Sequence, residues 1–225
     1  MPQVPPPHDP LRAFFIRAGT RREFLRRRHL QWADEGSRHI YLIEQGWVAR
    51  IRTDAAGVSA LTALHIAGDV AGVDGIAGRT LDDDLIALTR TCVLHASLDA
   101  LREEAAGNAA LAMNVATFLA TETSFLREAL FAVGCQPGVE RLCTFFLQTF
   151  HRLAASGLID PGSSCFDLPL TQGELATATG LTSVHVNRVL KSLRVQRCLE
   201  FQRGVVQIID MDALVRQAQV ADMPA

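Results

Sequence analysis

The sequence has no uninterrupted apolar segment of about eighteen residues, the length needed to cross a bilayer. The first ten residues include five prolines and have no apolar core of the kind that begins a secretory signal. We therefore expect a cytoplasmic protein with no membrane segment, in which residues 1–10 form a loose N-terminal arm.

Cysteine is scarce and follows no metal-binding or disulfide pattern. The cysteines are odd in number, and no two of them form a CxxC pair: Cys92, Cys135, Cys143, Cys165 and Cys198. This spacing argues against a disulfide framework and against a zinc finger. We expect most of these side chains to be buried as small apolar residues.

Arrangements that carry catalysis are also missing. The sequence contains no phosphate-binding P-loop, no nucleophile–base–acid set and no metal-ligand spacing. An enzyme is therefore not expected, and no cofactor is predicted; turnover of a generic hydrolase substrate would revive that class. With 225 residues, 48 % of them hydrophobic, the chain is long enough for one or two domains with a substantial core.

The sequence does contain a helix–turn–helix pattern. Thr171 precedes Glu174 by three residues, the spacing of a capping box at a helix N-terminus. Gly180 supplies the left-handed residue that commonly ends a helix, and Thr182 can cap a second one. That second helix carries a buried face formed by Val186, Val189, Leu190 and Leu193. Two short helices joined by a glycine turn place the second where it can enter a DNA major groove.

Basic residues are concentrated in the same region, although the whole chain has a formal net charge of −2. Between Thr182 and Gly204 a single acid, Glu200, is outnumbered by Arg188, Lys191, Arg194, Arg197 and Arg203. Such a patch is what phosphate neutralisation requires. The alternative interpretation is a solvated face on a small helical domain.

A short hairpin follows the second helix. Residues 198–202 and 205–209 have alternating apolar side chains and flank the turn pair Arg203-Gly204. The segment LTQGELATATGLTSVHVNRVLKSL, followed by this hairpin, resembles the C-terminal winged helix–turn–helix domain of the Crp/Fnr superfamily of bacterial transcription regulators.

The N-terminal half can be compared with the same family. Short strands are predicted at residues 39–44, 47–53 and 59–66, with turn signals between them, a pattern typical of an antiparallel barrel or roll. The segments YLIEQGWVARIRTDAAG and LHIAGDVAGVDGI resemble the β-roll sensor domain of this superfamily. The resemblance implies an N-terminal antiparallel β-roll of the double-stranded β-helix or jelly-roll type at residues 11–107.

A long helix is predicted between the two halves, at residues 108–135. It carries two apolar stripes, which implies two burial partners. One stripe, interrupted by Glu122, contains Leu111, Val115, Phe118 and Phe125; the other contains Ala112, Ala116, Leu119, Leu126, Leu130 and Val133. The resemblance implies that one stripe packs on the roll and the other forms the seam of a parallel homodimer. The alternative is a helix buried within one monomer.

The remaining segment, residues 136–225, is predicted to be the DNA-binding domain, which makes the whole chain α+β. It should begin with a helix at residues 139–155, followed by a loop at 157–169 that leads into the helix–turn–helix. The hinge between the two domains is expected near residues 134–138, where Gln136-Pro137-Gly138 interrupts the helical pattern.

Alignment on the family pattern assigns roles within the helix–turn–helix. The base-facing positions are Ser183, Val184, Asn187 and Arg188, and Arg188 can pair bidentately with guanine. Val184 departs from the family, in which an acidic residue commonly occupies this position, and valine offers only an apolar contact such as one to a thymine methyl. Candidate phosphate contacts are Thr171, Thr182, His185, Lys191, Arg194 and Arg203; for each basic one the alternative is surface solubility.

A second basic segment lies near the N-terminus. Residues 11–30 contain Arg12, Arg17, Arg21, Arg22, Arg26, Arg27 and Arg28. These arginines could contact phosphates or an acidic partner; the alternative is that they form a solvated face on the first elements of the fold.

Cyclic AMP is not the expected effector of the roll. Family members that bind it use a Gly-Glu-Leu segment, followed ten residues after the Glu by an Arg-Ser pair that neutralises the phosphate. This chain has Gly72-Val73-Asp74 and then Asp83-Asp84, so carboxylates would face the phosphate unless the loop shifts and Arg79 moves in.

Other known sensor chemistries of the family find little support. No cysteine precedes Cys92, which removes the N-terminal cysteine cluster that holds an iron–sulfur centre. Haem needs an axial ligand, and His39, His65 and His95 in the roll are more simply structural. The run 82–84 could ligate a divalent cation, although a solvated turn is the simpler interpretation. The effector is then an unidentified small molecule, or none.

The predicted function is a dimeric regulator that binds double-stranded DNA at a palindromic operator and has RNA polymerase as a further partner. The alternative is a ligand-binding or protein-interaction module with a degenerate helix–turn–helix. Salt-dependent binding to duplex DNA discriminates between them.

Overall fold

The computed structural model describes residues 10–33, 38–77, 83–160 and 162–218. It contains two compact units, one comprising Val4–Phe125 and the other chiefly Leu126–Ala225. Of the predicted N-terminal arm, residues 1–9 lie outside the described residues, whereas Pro10 begins the first helix.

The described residues of the first unit form eight strands in two antiparallel sheets, which confirms the predicted β-roll. The sheet orders are β1-β8-β3-β6 and β2-β7-β4-β5. After helix α1 (Pro10–Ala18), the strands are β1 Thr20–Phe24, β2 His29–Gln31, β3 His39–Gln45, β4 Val48–Thr53, β5 Ser59–His65, β6 Val70–Ala71, β7 Asp83–Ala87 and β8 Thr91–Ser97. The three strands predicted from alternation are β3, β4 and β5.

The roll has apolar side chains on both faces of its first sheet. Tyr41, Ile43 and Val93 point between the two sheets and form the interior core. Ile40 and Leu42, which alternate with them along β3, lie on the opposite face in a second core that includes residues of the surrounding helices. This alternation is the two-residue period of a strand.

Helix α2 (Leu98–Gly107) was not predicted from the sequence. Its first turn is capped by Ser97, whose hydroxyl accepts from the backbone N–H of Asp99 at 3.2 Å. Within the helix only Leu98 and Leu101 are buried. Two apolar positions in ten residues are too few to reveal a helical period.

Helix α3 (Ala109–Cys135) is the predicted long helix. The stripe that begins with Leu111 and Val115 is buried in the outer core, and Phe118 packs against it at the next turn. Glu122 continues this stripe, where its charge contributes to the electrostatic environment of Arg50. This stripe therefore packs on the roll.

Beyond its first turns, α3 exposes much of its apolar surface. The exposed side chains include Met113, Leu126, Leu130, Phe131 and Val133. By length and composition, α3 is also apolar enough to cross a membrane, a test that helices of non-membrane proteins can pass as well. The expectation that no segment is long and apolar enough was therefore wrong by this measure. The hydroxyls of Thr117 and Thr121 bond carbonyls one turn earlier, which lowers the polarity of the helix.

After the end of α3, the described residues of the second unit form four helices and a small sheet. The elements are α4 Gly138–Ala155, β9 Cys165–Asp167, α5 Gln172–Thr179, α6 Ser183–Val195, β10 Leu199–Gln202, β11 Val205–Ile208 and α7 Met211–Ala218. Residues Leu142, Phe146 and Phe150 of α4 are buried, as its predicted amphipathic pattern requires. The predicted hairpin is β10–β11.

Two features of this unit differ from the expectation. The predicted loop at residues 157–169 contains β9, which pairs antiparallel with β11 and makes the wing three-stranded. Only Phe166 of this strand is buried, and a single apolar position is not enough to predict a strand from the sequence. Helix α7 was also missed; it buries Leu214 and Ala218, and the Ala218 carbonyl accepts from Thr144 at 3.4 Å.

All seven N-terminal arginines are exposed. Arg17 makes an ion pair with Glu104, and Arg21 makes one with Glu44 at 3.0 Å. These pairs fit the solvated-face alternative for those two arginines. A contact of this segment with phosphates or an acidic partner stays a prediction.

The turn glycines Gly46 and Gly57 offer a matched test of this fold. Both have positive φ, +92° and +81°. A Cβ at position 46 would lie 2.6 Å from the carbonyl oxygen of Arg90, whereas one at position 57 would have no atom within 4 Å. We expect Gly57→Ala to cost about 1 kcal/mol of unfolding free energy, from backbone strain alone. Gly46→Ala should cost about 1–3 kcal/mol more because of the collision.

Thermal or denaturant unfolding of both variants measures the difference. Equal losses in the two variants would mean that the turn after β3 relaxes freely and that the close packing at Gly46 does not constrain the roll.

Candidate nucleic-acid interface

The first helix of the helix–turn–helix begins with a complete capping box. The Thr171 hydroxyl accepts from the backbone N–H of Glu174 at 3.2 Å, and the Glu174 carboxylate accepts from the backbone N–H of Thr171 at 2.7 Å. Leu175 and Ala176 then face the core. The reciprocal pair of bonds satisfies two backbone donors and defines where α5 starts.

The turn between the two helices depends on Gly180. Its φ of +62° and ψ of +35° are left-handed, as the sequence predicted. The Gly180 carbonyl accepts from Arg141 of α4 at 3.3 Å, and the same Arg141 nitrogen lies 3.4 Å from the carbonyl of Val133, near the end of α3. One guanidinium therefore joins the turn to two other helices of this unit.

Helix α6 has a buried and an exposed face. Thr182 caps it by accepting from the His185 backbone N–H at 3.2 Å, and the four predicted core residues Val186, Val189, Leu190 and Leu193 are all buried. The base-facing candidates Ser183, Val184, Asn187 and Arg188 are all exposed. Val184 has 72 % of its surface exposed, so its side chain is available for an apolar contact with a partner.

Asn187 has a partner that the sequence did not suggest. Its side-chain Nδ2 donates to Oε1 of Gln172, at the start of α5, over 3.0 Å. The two residues are fifteen positions apart, and no sequence motif connects them; only the packing of α5 against α6 brings them together.

The two threonine candidates for phosphate contact are already used as helix caps. Each hydroxyl accepts one backbone N–H, at Glu174 or His185, which leaves its own O–H free to donate. Lys191 is exposed on α6. Arg203 is exposed at the tip of the wing, where Arg203 and Gly204 both have positive φ, 53° and 79°.

Two other phosphate candidates have protein neighbours. Arg194 makes an ion pair with Glu200 at 3.3 Å, so a phosphate would have to compete with that carboxylate. The His185 ring borders the start of α4: a Cβ added to Gly138 would lie 2.8 Å from its Nε2. A side chain at position 138 would therefore displace the His185 ring.

The roll contains a partly buried arginine among carboxylates. Arg50 of β4 makes a bidentate pair with Asp74, with one bond of 3.0 Å, and its Nη1 lies 3.8 Å from Asp83. Only 15 % of the Arg50 side chain is exposed. Burial lowers the pKa of Arg50, but the hydrogen bonds and charge of Asp74, with further contributions from Asp83 and Glu122, outweigh it, so the pKa is raised. The guanidinium is therefore permanently charged.

The acidic run at the start of β7 does not form a cation cage among the described residues. Asp83 lies beside Arg50, whereas Asp84 accepts from the backbone N–H of Ala33 at 2.9 Å and lies 3.8 Å from His29. Asp82 and Arg79 lie outside the described residues. Across the described part of the chain, no three His, Cys, Asp or Glu side chains are grouped as a metal site requires.

The three histidines considered as haem ligands, His39, His65 and His95, pack against other residues of the roll. The rings of His39 and His95 meet edge to face with centroids 5.4 Å apart, and His65 is buried. Burial, with the nearby charge of Arg22 and the neighbouring His39, lowers the pKa of His95. His95 is therefore neutral near pH 7.

The cysteines are less buried than predicted. Cys143 and Cys198 are buried, Cys92 is half-buried, and Cys135 and Cys165 are exposed. Burial, with the neighbouring Cys198 and Glu140, raises the pKa of Cys143 to about 12, so this thiol stays protonated. The expectation was wrong because Cys135 ends α3, and Cys165 occupies an outward position on β9, where neither faces a core.

Comparison with known proteins covers both halves of the chain. Residues 140–217 match the Crp-like helix–turn–helix domain family. The Anaerobic regulatory protein of Haemophilus influenzae is 23 % identical over 183 residues, which cover 81 % of this chain and 70 % of that protein. The Fumarate and nitrate reduction regulatory protein of Yersinia pestis is 24 % identical over 192 residues, covering 85 % of this chain and 74 % of that protein.

Solved structures show the same fold. FixK2 from Bradyrhizobium japonicum superposes with a TM-score of 0.81 at 22 % identity, covering 91 % of this chain and 100 % of that one. A CRP-family transcriptional regulator from Thermus thermophilus gives 0.73 at 21 % identity, with coverages of 89 % and 97 %. With its capped helix–turn–helix, wing and β-roll, this chain is similar to Crp/Fnr-type transcription regulators, and its residues 140–217 match the Crp-like helix–turn–helix family.

Proposed function

We propose that the chain is a homodimer that binds a palindromic DNA operator through α6 and regulates transcription there. The observation that carries the proposal is the exposed surface at the N-terminal end of α6, where Ser183, Val184, Asn187 and Arg188 all face away from the core. Lys191 and the wing residue Arg203 provide positive charge beside it. In this proposal one group of side chains reads the bases and the other contacts the phosphates, and sequence-specific DNA binding requires both.

The exposed stripe of α3 supports the homodimer. Leu126 and Leu130 have 59 % and 73 % of their surfaces exposed in the single chain, and Phe131 has 63 %. A contiguous apolar face of this kind is favourable only when another surface covers it. A second copy of the same helix provides an equivalent face, and two-fold symmetry then presents two recognition helices to two half-sites.

The same proposal includes the setting in which the regulator acts. Regulation by DNA binding requires a cytoplasmic protein with access to the chromosome and to RNA polymerase, the expected protein partner. Base contact by Val184 predicts an operator with a thymine where an acidic side chain would select cytosine.

The roll of this regulator is proposed not to respond to cyclic AMP. Asp74 and Asp83 occupy the segments where family members hold the ribose and the phosphate, and both carboxylates surround Arg50. The Arg50 charge is therefore already paired, and an incoming cyclic phosphate would have to compete with the carboxylates of Asp74 and Asp83 for it. A different small molecule, or no effector, fits these residues better.

Selection of bound duplexes from a random pool tests the proposed function. The purified full-length chain would be used at two salt concentrations without added ligand. Recovery of a palindrome with half-sites about one helical turn apart supports a dimeric regulator that needs no effector. Recovery of only salt-sensitive, non-specific DNA contradicts it for the ligand-free protein.

Arg188→Ala should remove specific binding while sparing much of the non-specific binding. Loss of a bidentate guanine contact should reduce the binding free energy by about 1–3 kcal/mol on the selected operator and by little on an unrelated duplex. Lys191→Ala should instead weaken binding to all sequences and reduce the salt slope by about one. Fluorescence anisotropy titrations on both duplexes measure these effects.

Arg216→Ala is the matched control for that pair, because it removes an arginine from α7, outside the helix–turn–helix. If Arg188→Ala lowered specific and non-specific affinity together, Arg188 would be a phosphate contact.

Calorimetric titration with cyclic AMP should give no binding in the micromolar range. The physical reason is the repulsion between the cyclic phosphate and the carboxylates around Arg50. A variant carrying both Asp74→Asn and Asp83→Asn, which leaves Arg50 without its two charged partners, should bind the nucleotide more tightly than the natural protein. Micromolar binding by the natural protein would contradict the proposal.

A further inference from the structure

The hydrogen bond between Gln172 and Asn187 lies beside the proposed base-reading surface. Gln172 is the first residue of α5, and Asn187 lies in the second turn of α6. Both side chains are exposed, and Nδ2 of Asn187 donates to Oε1 of Gln172 over 3.0 Å. The bond connects the two helices of the motif through their side chains, on the surface that is free of core contacts.

The backbone positions of Gln172 and Asn187 are fixed by contacts other than this hydrogen bond. The capping box at Thr171 and Glu174 defines the first turn of α5, and therefore the Cα position of Gln172. Asn187 lies between the buried residues Val186 and Val189, which anchor α6. The remaining freedom is in the two side chains, and the hydrogen bond between them restricts it.

The orientation of the Asn187 amide decides which base it can read. A primary amide has one oxygen that accepts and two N–H groups that donate. In the observed orientation one N–H is given to Gln172, which leaves the Asn187 oxygen and its second N–H for DNA. An acceptor beside a donor matches N6–H and N7 of adenine.

The opposite orientation would read a different base. If the Asn187 oxygen accepted from Gln172, only N–H groups would remain for DNA, a pattern that matches the two acceptors N7 and O6 of guanine. The partner at position 172 therefore controls whether Asn187 presents an adenine-reading or a guanine-reading edge.

We propose that Gln172 is a positioning residue for specificity: it orients Asn187 so that Asn187 reads an adenine next to the base contacted by Arg188. The inference rests on the proposed DNA-binding function and names a residue outside the set assigned to base or phosphate contact. Gln172 acts through Asn187 and needs no DNA contact of its own.

The experiment measures an affinity ratio for each variant. The ratio compares the selected operator with one in which the adenine–thymine pair read by Asn187 is changed to guanine–cytosine. That base pair is first identified with the Asn187→Ala variant, as the operator position at which this variant no longer prefers one base over the others. Melting temperatures confirm that every variant is folded.

Three substitutions at position 172 separate orientation from general binding. Gln172→Ala should lower the ratio about five-fold or more, since the amide is no longer held. Gln172→Glu can only accept, which keeps Asn187 donating to it, so the ratio should stay within about two-fold of the natural protein even though added negative charge weakens all binding. Gln172→Lys can only donate, so it should abolish the adenine preference while raising non-specific affinity.

Gln196→Ala is the matched control. The Gln196 amide donates to the Ser192 hydroxyl at 3.0 Å, at the C-terminal end of α6, so its removal should leave the ratio unchanged. A uniform loss on all duplexes with Gln172→Ala would make Gln172 a phosphate contact and overturn the proposal. Retention of the adenine preference by Gln172→Lys would overturn it as well.

Failure of this inference is distinguishable from failure of the proposed function. If the natural protein selects no sequence, the DNA-binding function itself fails. If it selects an operator but position 172 does not alter the adenine preference, only the role of Gln172 is wrong.

Discussion

The left-handed backbone at Gly180 is the constraint on which the DNA-binding surface depends. It reverses the chain between α5 and α6 within a few residues, and so sets the angle at which α6 leaves the motif. The capping bonds at Thr171 and Thr182 then define the ends of the two helices that meet there. With both ends and the turn defined, the exposed residues of α6 have definite positions, which is the condition for reading a base edge.

The roll contains a cluster of charged side chains contributed by three separate segments. Arg50 lies on a strand, Asp74 in the 3₁₀ turn Val73–Ala77, and Asp83 at the start of β7. Removing Asp74 would leave the largely buried Arg50 guanidinium with incomplete pairing, which is costly away from water. The charges of these side chains therefore depend on one another.

The parts of the fold that were predicted are those with a strong local signal. The helix–turn–helix has caps, a glycine and a four-residue apolar face within 24 residues, and strands β3 to β5 have alternating side chains bounded by turns. Helix α2, strand β9 and helix α7 were missed because each buries only one or two side chains. The contacts of Arg50 and Gln172 were also missed, because they join residues that are distant in sequence and only tertiary packing brings them together.

The contacts of Arg141 have a mechanical consequence. Its guanidinium bridges the carbonyl of Val133, in the last turns of α3, and the carbonyl of Gly180 in the turn of the DNA-binding motif. A displacement of either segment would therefore stretch or break a hydrogen bond to the same side chain. The position of the last turns of α3 and the geometry of the turn at Gly180 are coupled through this one residue of α4.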